Sequence, residues 1–264
     1  MIFTHSERLP HAALRPFVKA FWYLRIKSDI PLTPLDAMPI PEQCLYFYGK
    51  IKPRALFSDG SSTVASSATI FGQSTTPCRL FVPQDYLMFK IIFQAGGFFR
   101  LFGAPMTLFT DQPTDAETAL GKELTEARDR IEQTEDLEQM IAIAENLLLQ
   151  RLKRVKTVEA PLDEVIRQPG WERQSVDQLA RLACLSPRQL ERKFLERVGV
   201  SPKFYGRVAR FNAAMKERMK NPEKSLMQVA FDHGYFDHTH LLRDFKQFTG
   251  AVPTRFDMGR ALIY

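Results

Sequence analysis

Near its C-terminus the chain contains the stretch Leu185-Ser-Pro-Arg-Gln-Leu-Glu-Arg-Lys-Phe-Leu-Glu-Arg-Val-Gly-Val-Ser-Pro202 and, 51 residues further on, Phe236-Asp-His-Thr-His-Leu-Leu-Arg-Asp-Phe-Lys-Gln-Phe-Thr-Gly-Ala-Val-Pro253. Aligned, they match Leu190 with Leu241 and Phe194 with Phe245, an apolar pair four residues apart that shares one face of a helix. Arg192 and Arg243 also align, on the opposite face. The repeat predicts one binding unit used twice, with a chemistry that suits DNA.

The residues around the first stretch predict a helix-turn-helix. Ser175 and Gln178 form a capping-box pattern that opens a helix through about residue 183. Ser186 then caps a second helix with Pro187 at its first position, where a missing N–H costs nothing. Helix, tight turn and helix make the frame of this DNA-binding motif.

The second stretch repeats this pattern. Leu226–His233 predicts the supporting helix, Gly234 the turn and Asp237 the cap of the next helix. Between the units, a helix over about residues 203–220 would be a rod of roughly 27 Å. Such a rod suits two recognition helices placed in successive major-groove segments, which lie about 34 Å apart.

The outward faces of the two second helices supply the candidate DNA-binding residues. Arginine binds the O6 and N7 atoms of guanine through two hydrogen bonds, whereas Ser, Thr, Gln and His make weaker base or phosphate contacts. A generic surface helix shows similar residues, but two such helices in register favour recognition. The candidates are Ser186, Arg188, Gln189, Glu191 and Arg192 in the first unit, and His238, Thr239, His240, Arg243 and Lys246 in the second.

Charge is divided unevenly along the chain. Residues 1–150 contain 14 Lys and Arg against 17 Asp and Glu, whereas residues 151–264 contain 22 against 13. The half that contains the repeat therefore carries a net charge of +9, which attracts a polyanion. A solvated basic surface is the alternative interpretation.

The N-terminal half shows short apolar runs separated by turn residues. The runs cover residues 17–24, 45–48, 55–57, 70–71, 80–82 and 87–93, and Pro31, Pro34 and Pro53 are among the residues between them. They predict the strands of a barrel or sandwich. Its many phenylalanines fill a core or line an apolar ligand cavity, and the core interpretation is favoured.

Helices and a boundary follow the strands. Residues 98–103 predict a short helix, and helical spacing over about 115–152 predicts two amphipathic helices that break near 134–136. Their apolar stripes either cover the strands or form a dimer seam. A linker at 157–161 separates a β-rich domain, 1–155, from a helical domain, 160–264, so the fold class is α+β with two domains.

Residues 162–256 resemble the double helix-turn-helix domain of AraC/XylS-type bacterial transcription regulators. The resemblance rests on Val176-Asp-Gln-Leu-Ala180, on the first stretch, and above all on the long run Val229-Ala-Phe-Asp-His-Gly-Tyr-Phe-Asp-His-Thr-His-Leu-Leu-Arg-Asp-Phe-Lys-Gln-Phe-Thr-Gly-Ala-Val-Pro-Thr-Arg-Phe256. Two positions depart from the family pattern. Glu191 replaces an uncharged polar residue, and Cys184 occupies a turn position where glycine is common.

The resemblance implies a function and a set of partners. Base-reading positions fall on Arg188, Glu191 and Arg192 in the first unit, and on His238, Thr239, His240 and Arg243 in the second. The N-terminal half is similar to the strand-rich, cupin-like sensing domains attached to this family. The implied partners are double-stranded DNA, a small-molecule effector of unknown identity, RNA polymerase and a second copy of the chain, in the bacterial cytoplasm.

Two other classes of protein are weighed against a DNA-binding regulator. The His233, His238 and His240 cluster is the best argument for a metal-dependent enzyme, but it lacks the carboxylate or thiolate spacing of a metal site. The basic helices alone also suit a protein-interaction adaptor. We expect no catalytic residues, metal or cofactor, no disulfides from three distant cysteines, and neither a signal peptide nor a membrane span.

Overall fold

The computed structural model describes residues 2–155, 160–256 and 261–262. The strands are β1 (Ile2–Arg8), β2 (Val18–Ala37), β3 (Gln43–Tyr48), β4 (Arg54–Phe57), β5 (Ser62–Val64), β6 (Ala68–Phe71), β7 (Cys78–Phe93), β8 (Thr114–Asp115) and β9 (Ala261–Leu262). The helices are α1 (Gly97–Phe102), α2 (Ala116–Leu120), α3 (Lys122–Glu132), α4 (Leu137–Arg154), α5 (Pro161–Val165), α6 (Val176–Leu182), α7 (Pro187–Val198), α8 (Pro202–Lys220), α9 (Leu226–Asp232) and α10 (His238–Thr249).

The N-terminal strands form one antiparallel sheet in the order β1-β2-β7-β3-β6-β8, which confirms a strand-rich N-terminal half. β7 pairs with β2 along one edge, and with β3 and then β4 along the other. Among the described strands, β1 and β8 at the two ends do not pair with each other, so the sheet is not a closed barrel. β9 adds a short parallel pairing to Asp36 and Ala37 of β2.

The two long strands were predicted as shorter pieces. The runs 80–82 and 87–93 belong to the single strand β7, and Pro31 and Pro34 lie inside β2 instead of between strands. Pro31 falls within a register shift between Lys27 and Leu32, where the ladder is already interrupted. At Pro34 the only described neighbour of β2 is β7, and such an edge position tolerates a missing N–H.

The sheet buries both of its faces, as the alternation of side chains requires. Phe21, Leu45 and Phe89 lie on one face in the same core as the apolar residues of α3 and α4. Trp22 and Met88 lie on the other face in a second core. The apolar stripes of the two helices therefore cover the strands of their own chain.

The helical part has a core for each repeat unit, and α8 contributes to both. Phe194 and Trp171 lie in the core of the first unit, and Phe211 and Phe245 in that of the second. Phe204 of α8 packs against both cores. Most of the predicted linker lies outside the described residues, and the described chain resumes just before Pro161, the first residue of α5.

Candidate nucleic-acid interface

The first recognition helix, α7, has the predicted inner and outer faces. Leu190, Phe194 and Val198 are buried at a spacing of four residues. Arg188 and Arg192 are exposed on the other side. Glu191 is exposed beside them, so this surface combines two guanidinium groups with one carboxylate.

Two other candidates, at the start of α7, have a structural role. The Ser186 hydroxyl accepts a hydrogen bond from the Gln189 N–H at 3.3 Å, and the Gln189 Oε1 accepts one from the Ser186 N–H at 3.0 Å. This reciprocal capping box satisfies two N–H groups at the start of the helix. The two side chains thus fix the N-terminal end of α7.

The second recognition helix, α10, repeats the arrangement. Asp237 accepts a hydrogen bond from the His240 N–H at 2.8 Å and caps the helix, while Leu241 and Phe245 are buried. Five candidates on α10 are exposed. They are His238, Thr239, His240, Arg243 and Lys246.

An ion-pair cluster holds α10 against α8, and sequence reasoning missed it. Asp244 is buried and accepts hydrogen bonds from Arg207 at 2.5 Å and from the Tyr235 hydroxyl at 3.2 Å. Arg207 also donates to the Gln247 side chain at 2.6 Å. A charge-assisted cluster of this kind fixes the orientation of the helix.

The first unit has a corresponding anchor. Arg197, near the end of α7, donates to Asp163 of α5 at 2.8 Å, and both side chains are largely buried. Trp171 packs on Phe194 and stacks on Tyr205 of α8, with ring centroids 5.2 and 5.0 Å apart. Each recognition helix is therefore tied to the rest of the domain on its inner side and leaves its outer side open.

The histidines considered as a metal cluster have different surroundings. His233 lies at the end of α9, with Nε2 2.5 Å from Glu217 of α8. His238 and His240 lie on the exposed first turn of α10. Among the residues that the structure describes, no group of three or more His, Cys, Asp and Glu side chains is arranged to hold a metal ion.

The sheet side of the molecule contacts α7 and α8 directly, through the segment from residue 38 to 43. The Pro39 carbonyl accepts a hydrogen bond from Asn212 at 2.7 Å, and the Pro41 carbonyl accepts one from the Tyr205 hydroxyl at 2.9 Å. Gln43 donates to the Arg197 carbonyl at 3.1 Å. The segment thus touches both α7 and α8.

A cavity of about 120 Å³ lies beside this segment. Met38, Ile40 and Glu42 line it, and Met38 also packs in the core of the second unit. Aromatic and apolar side chains form most of the remaining wall, including Tyr46, Tyr48, Tyr86, Met88 and Phe57. The aromatic interior therefore forms both a core and a cavity.

Glu42 lies at the cavity wall in a buried ion pair. Its Oε2 is 2.9 Å from Lys90 Nζ and its Oε1 is 3.7 Å from Lys19 Nζ. Burial works to raise the pKa of the Glu42 carboxyl, but the attraction of Lys90 and Lys19 outweighs it and holds that pKa below its usual value. The pKa of Lys90 is raised, because its attraction to Glu42 outweighs the burial that favours the neutral amine.

None of the described helices is both long and apolar enough to cross a membrane. This finding covers every helix from α1 to α10.

Two families match separate parts of the chain. Residues 179–258 match the family described as Helix-turn-helix domain, and residues 6–115 match the Domain of unknown function (DUF6597). An uncharacterized HTH-type transcriptional regulator of Haemophilus influenzae is 28% identical over 121 residues, which are 44% of this chain and 39% of the relative. The chain thus matches about two fifths of that relative's length.

The solved structures similar to this chain include ToxT from Vibrio cholerae. One ToxT structure aligns with a TM-score of 0.47 and 12% identity over 98% of this chain and 99% of its own. Another, described as unsaturated fatty acid bound wild-type ToxT, aligns with a TM-score of 0.43 and 12% identity over 88% of this chain and 91% of its own. The C-terminal part of the chain is thus similar to helix-turn-helix domains, in line with its resemblance to AraC/XylS-type regulators, and its N-terminal part is similar to a domain of unknown function.

Proposed function

We propose that the protein is a sequence-specific DNA-binding regulator of transcription, in which α7 and α10 read two adjacent major-groove segments. The observation that carries the proposal is the repeated helix: both copies bury a leucine and a phenylalanine four residues apart and expose an arginine two residues after the leucine. α8 contacts both copies, and its 19 residues make a rod of about 28 Å. Binding to DNA, and not catalysis, is the proposed activity.

Selection of bound sequences from a random DNA pool tests this function. We expect the wild-type protein to enrich two short motifs about 10 base pairs apart, centre to centre. Its affinity for the selected operator should fall steeply as salt rises, because each neutralised phosphate releases counterions. If no sequence were enriched in the pool, or if binding to DNA did not weaken as salt rises, the protein would not be such a regulator.

Control by a small molecule is the second part of the proposal, and the wall of the cavity supports it. The cavity is close in size to engineered protein cavities of about 150 Å³ that bind benzene, so a small aromatic compound suits it. Residues 38, 40 and 42 line the cavity, residues 39, 41 and 43 bond to α8 and α7, and Met38 also packs in the core of the second unit. A ligand that displaces this segment would change how the recognition helices are held.

Two further partners are part of the proposal: RNA polymerase and a second copy of the chain. We propose that the protein acts on RNA polymerase in the bacterial cytoplasm, as the AraC/XylS resemblance implies. Because α3 and α4 turn their apolar stripes into the core of the sheet, a homodimer would form through another surface. The selected operator reports this state: one pair of motifs indicates a single chain and a duplicated pair indicates two.

A further inference from the structure

The two repeat units differ by one residue in the turn before the recognition helix. The supporting helices begin at equivalent caps, Ser175 and Ser225, which are 50 residues apart. The recognition helices begin at Ser186 and Asp237, which are 51 residues apart. The second turn therefore contains one additional residue.

Hydrogen bonds identify the additional residue. The Leu185 N–H donates to the Ala180 carbonyl at 2.9 Å, and the Tyr235 N–H donates to the Ala230 carbonyl at the same distance. Leu185 packs against the core of the first unit and Tyr235 belongs to the core of the second. These two residues correspond, which leaves Phe236 without a counterpart.

Phe236 contributes little to the core. An apolar residue directly before a helix cap often packs on the fourth residue of that helix, as Leu185 and Leu190 do within one core. Here the fourth residue is Leu241, which is buried, while Phe236 is 82% exposed. Its ring lies 6.1 Å from that of His240, centroid to centroid, on the exposed first turn of α10.

We propose that Phe236 contacts the 5-methyl group of a thymine in the major groove and so sets part of the sequence preference of the second unit. The inference rests on the proposed function, since it requires α10 to enter that groove. The first residues of a recognition helix contact base edges, and the thymine methyl is the apolar group that the major groove presents. Lys246 on the same helix supplies positive charge that holds the DNA backbone close.

Replacing thymine by uracil in the selected operator tests the contact, because uracil lacks only the methyl group. With the wild-type protein, replacement at one position of the second motif should raise Kd about fourfold, the value of one buried methyl group. Phe236→Ala should bind the thymine operator about fourfold more weakly and lose its sensitivity to uracil at that position. Because the Phe236 side chain is exposed, this variant should keep the wild-type fold, and a circular dichroism spectrum checks it.

Phe231→Ala is the matched control. Phe231 is 59% exposed and lies on α9, before the turn. This variant should keep the wild-type sensitivity to uracil. The proposal would be overturned if Phe236→Ala kept the sensitivity to uracil, or if the wild-type protein lacked it. A Phe236→Ala protein that binds DNA normally but no longer regulates transcription would also overturn it, since that result would indicate a contact with another protein. If no operator is selected at all, the proposed function itself fails.

Discussion

Arg243 and Lys246 lie on the same exposed face of α10, and their chemistry predicts different roles. Arginine reads guanine with two hydrogen bonds, whereas lysine holds phosphate as a point charge. Arg243→Ala should relax discrimination at particular base pairs by about 1 to 3 kcal/mol, and Lys246→Ala should weaken all sequences alike. Equilibrium binding to every single-base variant of the selected operator measures both effects. An Arg243→Ala protein with lower affinity but intact preferences would contradict the assignment.

The buried pair of Glu42 and Lys90 predicts a pH-dependent stability. Lys90→Met should lower the free energy of unfolding at pH 7 by about 3 kcal/mol, because it leaves a buried carboxylate without its nearest cation. The folded-state pKa of Glu42 is lowered, so its stabilisation is present above the unfolded pKa of about 4.3 and is lost as pH falls through the folded value. The cost of Lys90→Met should therefore shrink in acid.

Denaturant unfolding at neutral and acidic pH measures this dependence. Lys19→Met is the matched control, since Lys19 is half exposed and lies further from the carboxylate. It should cost less than about 1 kcal/mol at pH 7. Equal costs for the two variants at pH 7, or a Lys90→Met cost that grows in acid, would mean that the pair does not stabilise the fold as described.

Whether a side chain is buried or exposed could be predicted where the spacing of nearby residues determines it. The spacing of Leu190 and Phe194, and of Leu241 and Phe245, was enough to place Arg192 and Arg243 outside. Asp244 was not predictable, because its burial depends on Arg207, 37 residues earlier on another helix. The same holds for Glu42 and Lys90, which are 48 residues apart and meet only because β3, directly after Glu42, pairs with β7.

The turns of the two units predict how substitutions at one equivalent position change the stability of the protein. Cys184 has φ of 52° and occupies the left-handed position that Gly234 takes, with φ of 72°, in the second unit. A residue with a Cβ is strained there by about 1 kcal/mol or more. Cys184→Gly should therefore raise the free energy of unfolding, by up to about 1 kcal/mol, and Gly234→Ala should lower it by a similar amount. Denaturant unfolding of both variants checks the opposite signs, and changes of the same sign would contradict the assignment of the turns.

Segment 38–43 predicts a coupling between the cavity and the recognition helices. Ala55→Phe fills part of the cavity and imitates a ligand. It should change the operator Kd about fivefold, the lower end of typical allosteric coupling. Tyr205→Phe removes the hydrogen bond to Pro41 and should reduce that change.

Fluorescence anisotropy measures the operator Kd of the wild type, of Ala55→Phe, of Tyr205→Phe and of the double variant. Tyr23→Phe, at a tyrosine in the helix-covered core of the sheet, is the matched control and should leave the Ala55→Phe effect unchanged. The coupling is absent if Ala55→Phe acts equally with and without the Tyr205 hydroxyl.

Helices and strands could be predicted well only where nearby residues mark their ends. The caps at Ser175, Ser186 and Asp237 located the helices of both units to within a residue or two. The strands were harder, because prolines that normally end strands lie in β2, one at a register shift and one where β7 is the only neighbour among the described residues. Sequence spacing alone does not reveal which residues of a long strand lack a neighbour.

At the scale of the whole molecule, the acidic and basic halves of the sequence are in contact. Thr110 donates to the Gly199 carbonyl at 2.9 Å, next to the contact that Gln43 makes with the end of α7. The sequence indicated two parts with different charge but gave no sign that they would touch. Under the proposed function, this contact is the route by which a ligand in the cavity would affect DNA binding by the helical half.

Hydroxyl-radical footprinting of the selected operator tests most directly whether one chain reads two groove segments. The wild-type protein should protect two segments about 10 base pairs apart on one face of the DNA. Arg192→Ala should weaken protection of one segment and Arg243→Ala that of the other. A single protected segment, or the loss of the same segment in both variants, would contradict the account.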